Sequence, residues 1–140
     1  MILRFVSRCP VAAIIVCLTV LSQAGEKDWV SIFDGKSLDG WACVQPGVFV
    51  VEDGAIVATN TEEAPIPDNR FLVWQAGKPG DFELKLEFKI EGPPKANSGI
   101  QFRGSSDETG HVIGYQADID RAGRWLGTLY DEHTGRKVLA

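Results

Sequence analysis

Cysteine is scarce in this sequence, with three in 140 residues. Cys9 and Cys17 lie in an apolar segment at the N-terminus, and Cys43 is the third. If that segment is removed, the single remaining cysteine cannot form a disulfide within the chain. The stability of such a chain must then come from a hydrophobic core rather than from covalent cross-links.

Long apolar runs are absent as well. Residues 11–21 are almost wholly apolar, follow two arginines and precede Ser22-Gln23-Ala24, which has small residues at both positions that define a cleavage site. This is the pattern of a secretory signal peptide, and the run is shorter than the roughly 20 residues that span a bilayer. We therefore predict a signal peptide over residues 1–24. The domain over residues 25–140 should be exported, periplasmic or extracellular, and free of the membrane after cleavage.

Positive charge is the third scarcity. Without residues 1–24 the chain keeps 12 Lys and Arg (14 − 2) against 19 Asp and Glu, a net charge of −7. Nucleic acids and anionic membranes bind clustered Lys and Arg, so neither is expected as a partner. The remaining length suits one small domain, which would bury roughly 65% of the surface of its unfolded chain. The sequence carries no signal for its oligomeric state.

Motifs for cofactors are lacking too. No glycine-rich nucleotide loop is present, and the two histidines, His111 and His133, lie in polar loop contexts without the spacing of zinc ligands. The segment 34–40 resembles a calcium loop only superficially, because the acidic residue at its far end is missing. We therefore expect no cofactor and no metal site.

The patterns that are present are those of an all-β fold. Glycine and proline divide the chain into short segments, as in a β-sandwich, and no window shows the 3.6-residue apolar period of a helix. Short strands are predicted at 29–33 and 71–74. The clearest hairpin joins residues 49–52 to residues 55–58 through Asp53-Gly54, a dipeptide that suits a type I′ turn.

Residues 81–120 carry the strongest pattern. Apolar and polar residues alternate from Phe82 to Ile90, so the apolar side chains should face a core and the charged ones solvent. Two further strands are expected at 97–104 and 115–120, each with one apolar face. Their other faces carry polar side chains of the kind that bind sugar hydroxyls, namely Gln101, Arg103, Gln116, Asp118 and Asp120.

The order of motifs along the chain resembles that of the 3-keto-disaccharide hydrolase family. The matching segments are residues 32–41, 51–56, 80–88, 97–104, 114–120 and 127–131. The resemblance implies a concanavalin A-like jelly-roll sandwich and a substrate that is a glycoside oxidised to a ketone at C3. Family members continue through several more strands. We therefore expect this chain to be the N-terminal portion of the domain, incomplete at the C-terminus and weakly stable on its own. Whether it is active without the missing strands, or needs a separate chain to complete the sheet, stays open.

The chemistry that the resemblance implies needs no redox cofactor. A ketone at C3 acidifies the proton on C2, so a modest base can remove it; the oxygen on C1 then leaves by elimination, and water adds afterwards. Such a site needs a base, a partner for the enolate oxygen and an acid for the leaving group. Asp118 and Asp120 are the candidate bases. Arg103 is the candidate enolate partner, because a guanidinium offers fixed charge and paired donors.

Four further residues are candidates for substrate binding. Gln101 and Gln116 would hold sugar hydroxyls, and Tyr130 would donate a proton or stack on a sugar ring. Trp125, beside a glycine and an arginine in a loop, would also stack on a sugar.

Structural roles are the alternative for several of these residues. Arg103 could form an ion pair with Asp118 across neighbouring strands, and Asp120 could open the turn that follows it. The remaining tryptophans are expected in the core, where large aromatic side chains contribute most; they are Trp29, Trp41 and Trp74.

Three other functions stay open at this point. The two aspartates, about 7 Å apart on one strand face, could hydrolyse an ordinary glycoside as paired carboxylates. The chain could instead be a non-catalytic carbohydrate-binding module, since jelly rolls serve lectins as well as enzymes. It could also be a cell-surface domain whose polar face meets another protein.

Overall fold

The computed structural model describes residues 1–6 and 29–140, without the side chains of residues 2–6. Every regular element in that part of the chain is a β-strand, so no helix in it could cross a membrane. In chain order the strands are β1 Ile2–Val6, β2 Trp29–Ser31, β3 Trp41–Ala42, β4 Phe49–Glu52, β5 Ala55–Ala58, β6 Val73–Trp74, β7 Asp81–Lys85, β8 Asn97–Ser106, β9 Val112–Asp120, β10 Leu129–Glu132 and β11 Lys137–Val138.

The strands form four antiparallel sheets. A three-stranded sheet has the order β2-β1-β7, and a four-stranded sheet has the order β11-β10-β9-β8. The other two sheets are the pairs β3-β6 and β4-β5. The prediction of an all-β, antiparallel fold is confirmed, and this arrangement is consistent with a β-sandwich of the jelly-roll type.

The predicted signal peptide falls mostly on residues that the structure does not describe. Its beginning is described as β1, which pairs with β2 and β7. Residues 7–24 lie outside the described part of the chain, so cleavage and export stay predictions.

The hairpin of β4 and β5 follows the sequence prediction closely. Glu52 lies opposite Ala55, and the turn between them consists of Asp53 and Gly54. Their φ angles are 48° and 79°. A type I′ turn requires positive φ at both of its central residues, so the Asp-Gly dipeptide sets the register of this hairpin.

The predicted strand from Phe82 to Ile90 is shorter in the structure. Strand β7 ends at Lys85, although side-chain burial continues to alternate as far as Leu86. Phe88 is exposed to 52%, so its expected place in the core is wrong. The pairing of β7 with β1 ends where Lys85 lies opposite Ile2, so the residues from Leu86 onward have no partner in this sheet.

The hydrophobic core is small. Among the side chains that the structure describes, only Val112 and Ile119 are buried apolar residues, and both belong to β9. The three tryptophans predicted for the core are half-buried instead; they are Trp29, Trp41 and Trp74. The indole of Trp41 has a polar reason for its position, because its Nε1 donates to the carbonyl of Ile32 at 2.8 Å.

The four-stranded sheet has one irregularity, in its longest strand pair. Between Phe102 and Ser105, two residues of β8 oppose one residue of β9, which makes a β-bulge. The backbones meet closely there: a Cβ on Gly114 would lie 2.6 Å from the Cα of Gly104. Glycine at both positions is therefore what allows the two strands to continue past the bulge.

Candidate functional site

Three strands of the four-stranded sheet bring the predicted polar residues to one face. Gln101 of β8 lies opposite Gln116 of β9, and Gln116 lies opposite Tyr130 of β10. Residues that oppose each other directly in an antiparallel sheet share a face. Asp118 is on the same face because it follows Gln116 by two residues.

A chain of hydrogen bonds joins three of these side chains, which we call the polar row: Gln101, Gln116 and Asp118. Gln101 Nε2 donates to Gln116 Oε1 at 2.8 Å, and Gln116 Nε2 donates to Asp118 Oδ1 at 2.5 Å. An ionised carboxylate can only accept hydrogen bonds. The charge on Asp118 therefore sets the direction of both amides and turns Gln101 Oε1 away from the row, where it is buried without a partner.

Gly99 makes room for this arrangement. It lies opposite Asp118 in the register, and the side chain of Gln116 crosses over it. A Cβ on Gly99 would lie 2.4 Å from Gln116 Cδ and 2.8 Å from Gln116 Oε1. Any side chain at position 99 would therefore displace Gln116 from the row.

Asp120 has a different environment, although it is as deeply buried as Asp118, at 8% exposed. Its Oδ2 accepts from the backbone N–H groups of Arg124, at 2.7 Å, and Trp125, at 3.1 Å. Its Oδ1 accepts from the N–H of Ala122 at 3.4 Å. The carboxylate thus closes the turn after β9, which is the structural role that the sequence left open for it.

Arg103 lies in the β-bulge and does not reach Asp118. Its φ is 51°, in the left-handed region that is uncommon for residues other than glycine. Its Nη2 donates to Asp81 Oδ1 at 2.9 Å, and both side chains are more than half exposed. The ion pair therefore connects the four-stranded sheet to β7, and the Arg103–Asp118 pair that was the structural alternative is not formed.

The two aromatic candidates lie in different elements. Tyr130 is half-buried beside Gln116 on the polar face. Trp125 lies in the loop between β9 and β10, 38% exposed, with the guanidinium of Arg124 4.3 Å from the ring centroid. The guanidinium of Arg124 thus covers one face of the indole ring. The loop holds Trp125 next to the turn that Asp120 closes.

A second polar group on this sheet was not predicted from the sequence. Glu132 of β10 lies opposite Gly114 and therefore shares the face of Tyr130, from which it is two residues removed. Its Oε1 is 2.8 Å from His133 Nε2, which is 2.5 Å from His111 Nε2. We call these three residues the histidine cluster. Strand alternation could have identified Glu132, but nothing in the spacing of the histidines indicated that they meet.

The opposite face of β10 carries a buried carboxylate. Asp131 is 2% exposed, and its Oδ2 accepts from Thr134 Oγ1 and Arg136 Nε. The Thr134 hydroxyl, and after it the charge and hydrogen bond of Arg136, hold the pKa of Asp131 below its ordinary value. Arg136 also contacts Tyr115, 3.4 Å from its hydroxyl, so these residues tie the turn after β10 to β9.

Two shallow concavities of the described surface are lined by residues outside the polar row. One, about 230 Å³ in volume, is lined by Gly92, Pro94, Arg121 and Ala122. The other, about 550 Å³, is lined mainly by β2 and the residues after it, with Trp74 and Ala76. Between residues 29 and 140, no group of three or more His, Cys, Asp or Glu side chains could hold a metal ion.

Comparison with known proteins decides the family. The family model described as the 3-keto-alpha-glucoside-1,2-lyase-like domain matches residues 28–139. The chain belongs to this family. It is the family that the sequence motifs resemble, and the match includes every strand from β2 to β11. No curated protein and no solved structure matches the chain.

Proposed function

We propose that this protein cleaves glycosides whose sugar has been oxidised to a ketone at C3, by elimination across C1 and C2. The observation that carries the proposal is the polar row: a buried carboxylate held by a side-chain amide on a sheet face, in a member of a family whose description names a 1,2-lyase. Asp118 is the base. Asp120 is not assigned this role, because backbone N–H groups already occupy its carboxylate.

The elimination proceeds in three steps. Asp118 takes the proton from C2, and the electron pair of that bond moves toward C3, so the ketone oxygen becomes an enolate. The enolate pair then forms the C1=C2 double bond while the bond from C1 to the glycosidic oxygen breaks. The leaving oxygen takes a proton, and water adding at C1 afterwards gives the free 3-keto sugar. Every step is a proton transfer or an elimination, so no electrons leave the substrate.

Two other residues assist these reaction steps. Tyr130 opposes Gln116 and is a diagonal neighbour of Asp118, at a Cβ separation of about 7 Å, so its phenol can protonate the leaving oxygen while Asp118 acts at C2. Arg103 is the partner of the enolate oxygen. Its bond to Asp81 uses one of the five N–H donors of the guanidinium, and an exposed pair of this kind contributes no more than about 1 kcal/mol.

A carbohydrate-binding module without catalysis is the second candidate, and two observations favour it. Trp125 exposes an aromatic surface in the loop between β9 and β10, and the amides of Gln101 and Gln116 lie on the sheet face. Aromatic side chains and a few amide groups are typical of sites that bind small molecules, and binding alone does not require a base. In this case the sugar would not need to be oxidised.

The test compares an oxidised and an unoxidised substrate. The purified protein is incubated with a 3-keto-disaccharide and with the same disaccharide unoxidised, and release of monosaccharide is followed over time. We expect release only from the 3-keto compound, because only there is the C2 proton acidic. Equal binding of both sugars with release from neither would establish the binding module instead. Export, which we propose from the leader pattern, is tested by locating the protein in cell fractions.

A further inference from the structure

The larger of the two concavities described above has a volume of about 550 Å³. Three segments line it: residues 30–34 in and after β2, residues 39–40, and Trp74 of β6 with Ala76. None of these residues belongs to the polar row or to the histidine cluster. Sites for small molecules have volumes of about 300–1,000 Å³, so this concavity is large enough to hold a ligand.

Hydrogen bonds hold the three segments together. Trp41 lies opposite Trp74 in the β3-β6 pair, and its Nε1 donates to the carbonyl of Ile32 at 2.8 Å. The N–H of Gln75 donates to the carbonyl of Gly40, also at 2.8 Å. Each wall is therefore connected to the next without a ligand, which reduces the ordering that binding would require.

Two aspartates of this concavity differ in their partners. Asp34 Oδ1 accepts from the N–H groups of Lys36 and Ser37, both at 2.8 Å, and its Oδ2 accepts from the Ser37 hydroxyl at 3.2 Å. The bond from the Ser37 N–H, and then that from Lys36, holds the pKa of Asp34 below its ordinary value. Asp39 is exposed, and its carboxylate has no partner among the residues that the structure describes. Asp34 thus fixes the loop, whereas Asp39 is available to a ligand.

The ring of Trp74 supplies an aromatic wall. Trp74 is half-buried, and Gly77 lies against the edge of its ring, where a Cβ would be 3.3 Å from Cη2. Its Nε1 donates to no residue in the described part of the chain and is not among the buried atoms that lack a partner, so a ligand can accept from it. No lysine or arginine is among the described residues that line the concavity. An anionic ligand would therefore find no counter-charge here.

We propose that this concavity binds a neutral pyranose ring. The C–H face of the ring packs on the indole of Trp74, whose apolar body and polar N–H suit a ligand of mixed character. Hydroxyl groups at the edge of the ring donate to Asp39 and accept from Trp74 Nε1. A hydrogen bond to an ionised group is stronger than one between neutral groups, so Asp39 contributes both affinity and orientation.

A cation is the alternative ligand, because carboxylates and aromatic faces both attract one. The carboxylate of Asp34 already accepts three hydrogen bonds, and an exposed ion pair with Asp39 alone contributes little. Apolar side chains form most of the lining, and a sugar ring uses that surface as well as the carboxylate. The site does not depend on the proposed function, since stacking and hydroxyl bonds need neither a ketone nor a base.

The experiment is a titration of the full chain with maltose and, separately, with cellobiose, two unoxidised disaccharides of pyranose rings. Proton–nitrogen NMR follows the indole N–H signals of the four tryptophans, each assigned by replacing that tryptophan with phenylalanine. We expect the Trp74 signal to shift most and to saturate, because its N–H meets the sugar. High salt should leave the affinity unchanged, because a neutral ligand is not screened.

Variants separate the two contacts. Trp74→Leu keeps apolar bulk but removes the aromatic face and the N–H, and we expect the affinity to fall by about tenfold. Asp39→Asn keeps an acceptor but loses the charge, and we expect a fall of about threefold. Glu91→Gln is its matched control, because Glu91 is an exposed carboxylate paired with Lys89 outside the concavity, and it should leave the affinity unchanged. Circular dichroism shows whether each variant is folded. If Trp74→Leu is not, Trp74→Phe replaces it with a smaller expected loss.

Three results would overturn the proposal. Neither sugar could shift the Trp74 signal; binding could survive Trp74→Leu and be lost in Trp125→Ala, which would place the sugar at the loop between β9 and β10; or tetramethylammonium, a cation probe, could displace the sugar and bind more tightly than it. Each result is obtained without a 3-keto substrate, so it is independent of the release assay that tests the proposed function.

Discussion

The middle and the end of β9 hold the same residue type in different surroundings. Asp118 and Asp120 are equally buried and lie on the same face of one strand. In the middle, Asp118 accepts from one side-chain amide; at the end, Asp120 accepts from three backbone N–H groups. The backbone N–H groups that donate to Asp120 are fixed by the fold. The side-chain amide that donates to Asp118 can move away, and a hydrogen-bonding group of the substrate can take its place. The partners of a buried carboxylate, more than its burial, therefore indicate whether it stabilises the fold or is available for chemistry.

The sharpest test of this comparison is Asp118→Asn. The amide keeps the shape of the side chain but cannot remove a proton. We expect kcat/KM for a 3-keto-glycoside to fall by about 10²–10⁴-fold, the contribution of a general base, with little change in thermal stability. Asp120→Asn is the matched control at the same burial, and its turnover should stay within a few-fold of the wild type. If Asp120→Asn lost its activity and Asp118→Asn kept it, Asp120 would be the base instead.

The second test concerns stability and uses Asp120→Ala. Without the carboxylate, the N–H groups of Ala122, Arg124 and Trp125 lose their acceptor. Each lost bond leaves a donor to be satisfied by water or not at all, so we expect a loss of about 1–3 kcal/mol. For a domain of this size each kcal/mol corresponds to a fall in Tm of about 4–8 °C. Asp118→Ala, measured in parallel, should lower Tm by less, and an equal fall would remove the distinction between the two carboxylates.

The third test disturbs the polar row without touching the carboxylate. Gly99→Ala places a methyl group where the Gln116 side chain lies, so Gln116 must leave Asp118. A misplacement of this size near a reacting group costs up to about 10²-fold in rate, and we expect a loss of about tenfold. Gly123→Ala, where a Cβ meets nothing within 4 Å, offers a control for an added methyl group, although its φ of 74° makes some loss of stability expected there.

Strand alternation predicted much of this site from the sequence. It placed Gln101, Gln116 and Asp118 on one face, and the register of β8 and β9 confirms that placement. At Arg103 the same rule did not anticipate the bulge, where an extra residue and a φ of 51° place the guanidinium beside Asp81 rather than Asp118. Bulges depend on how two backbones approach, and the only local sign was the glycine at position 104.

The sequence did not predict contacts between residues that lie in different turns. The histidine cluster forms because the turn before β9 and the turn after β10 bring together residues 22 apart, and the left-handed backbone of His133 turns its ring toward Glu132. Neither feature has a periodic signature. The turn role of Asp120 was foreseen as an alternative, since aspartate commonly accepts from backbone N–H groups after a strand, but the sequence could not choose between this role and catalysis.

A third aspartate, on the opposite face of the sheet, extends the comparison and gives the smallest expected effect. The pKa of Asp131 is lowered chiefly by the Thr134 hydroxyl and then by Arg136. A carboxyl whose pKa is lower in the folded than in the unfolded chain stabilises the fold at higher pH, and this contribution disappears as the pH falls below about 4 toward the folded value. Thr134→Ala should therefore show a smaller loss of Tm between pH 7 and pH 3 than the wild type. Thr109→Ala removes the hydroxyl that lowers the pKa of Asp107 and should act in the same direction. An unchanged acid-dependent loss in Thr134→Ala would mean that Arg136 alone holds Asp131 ionised.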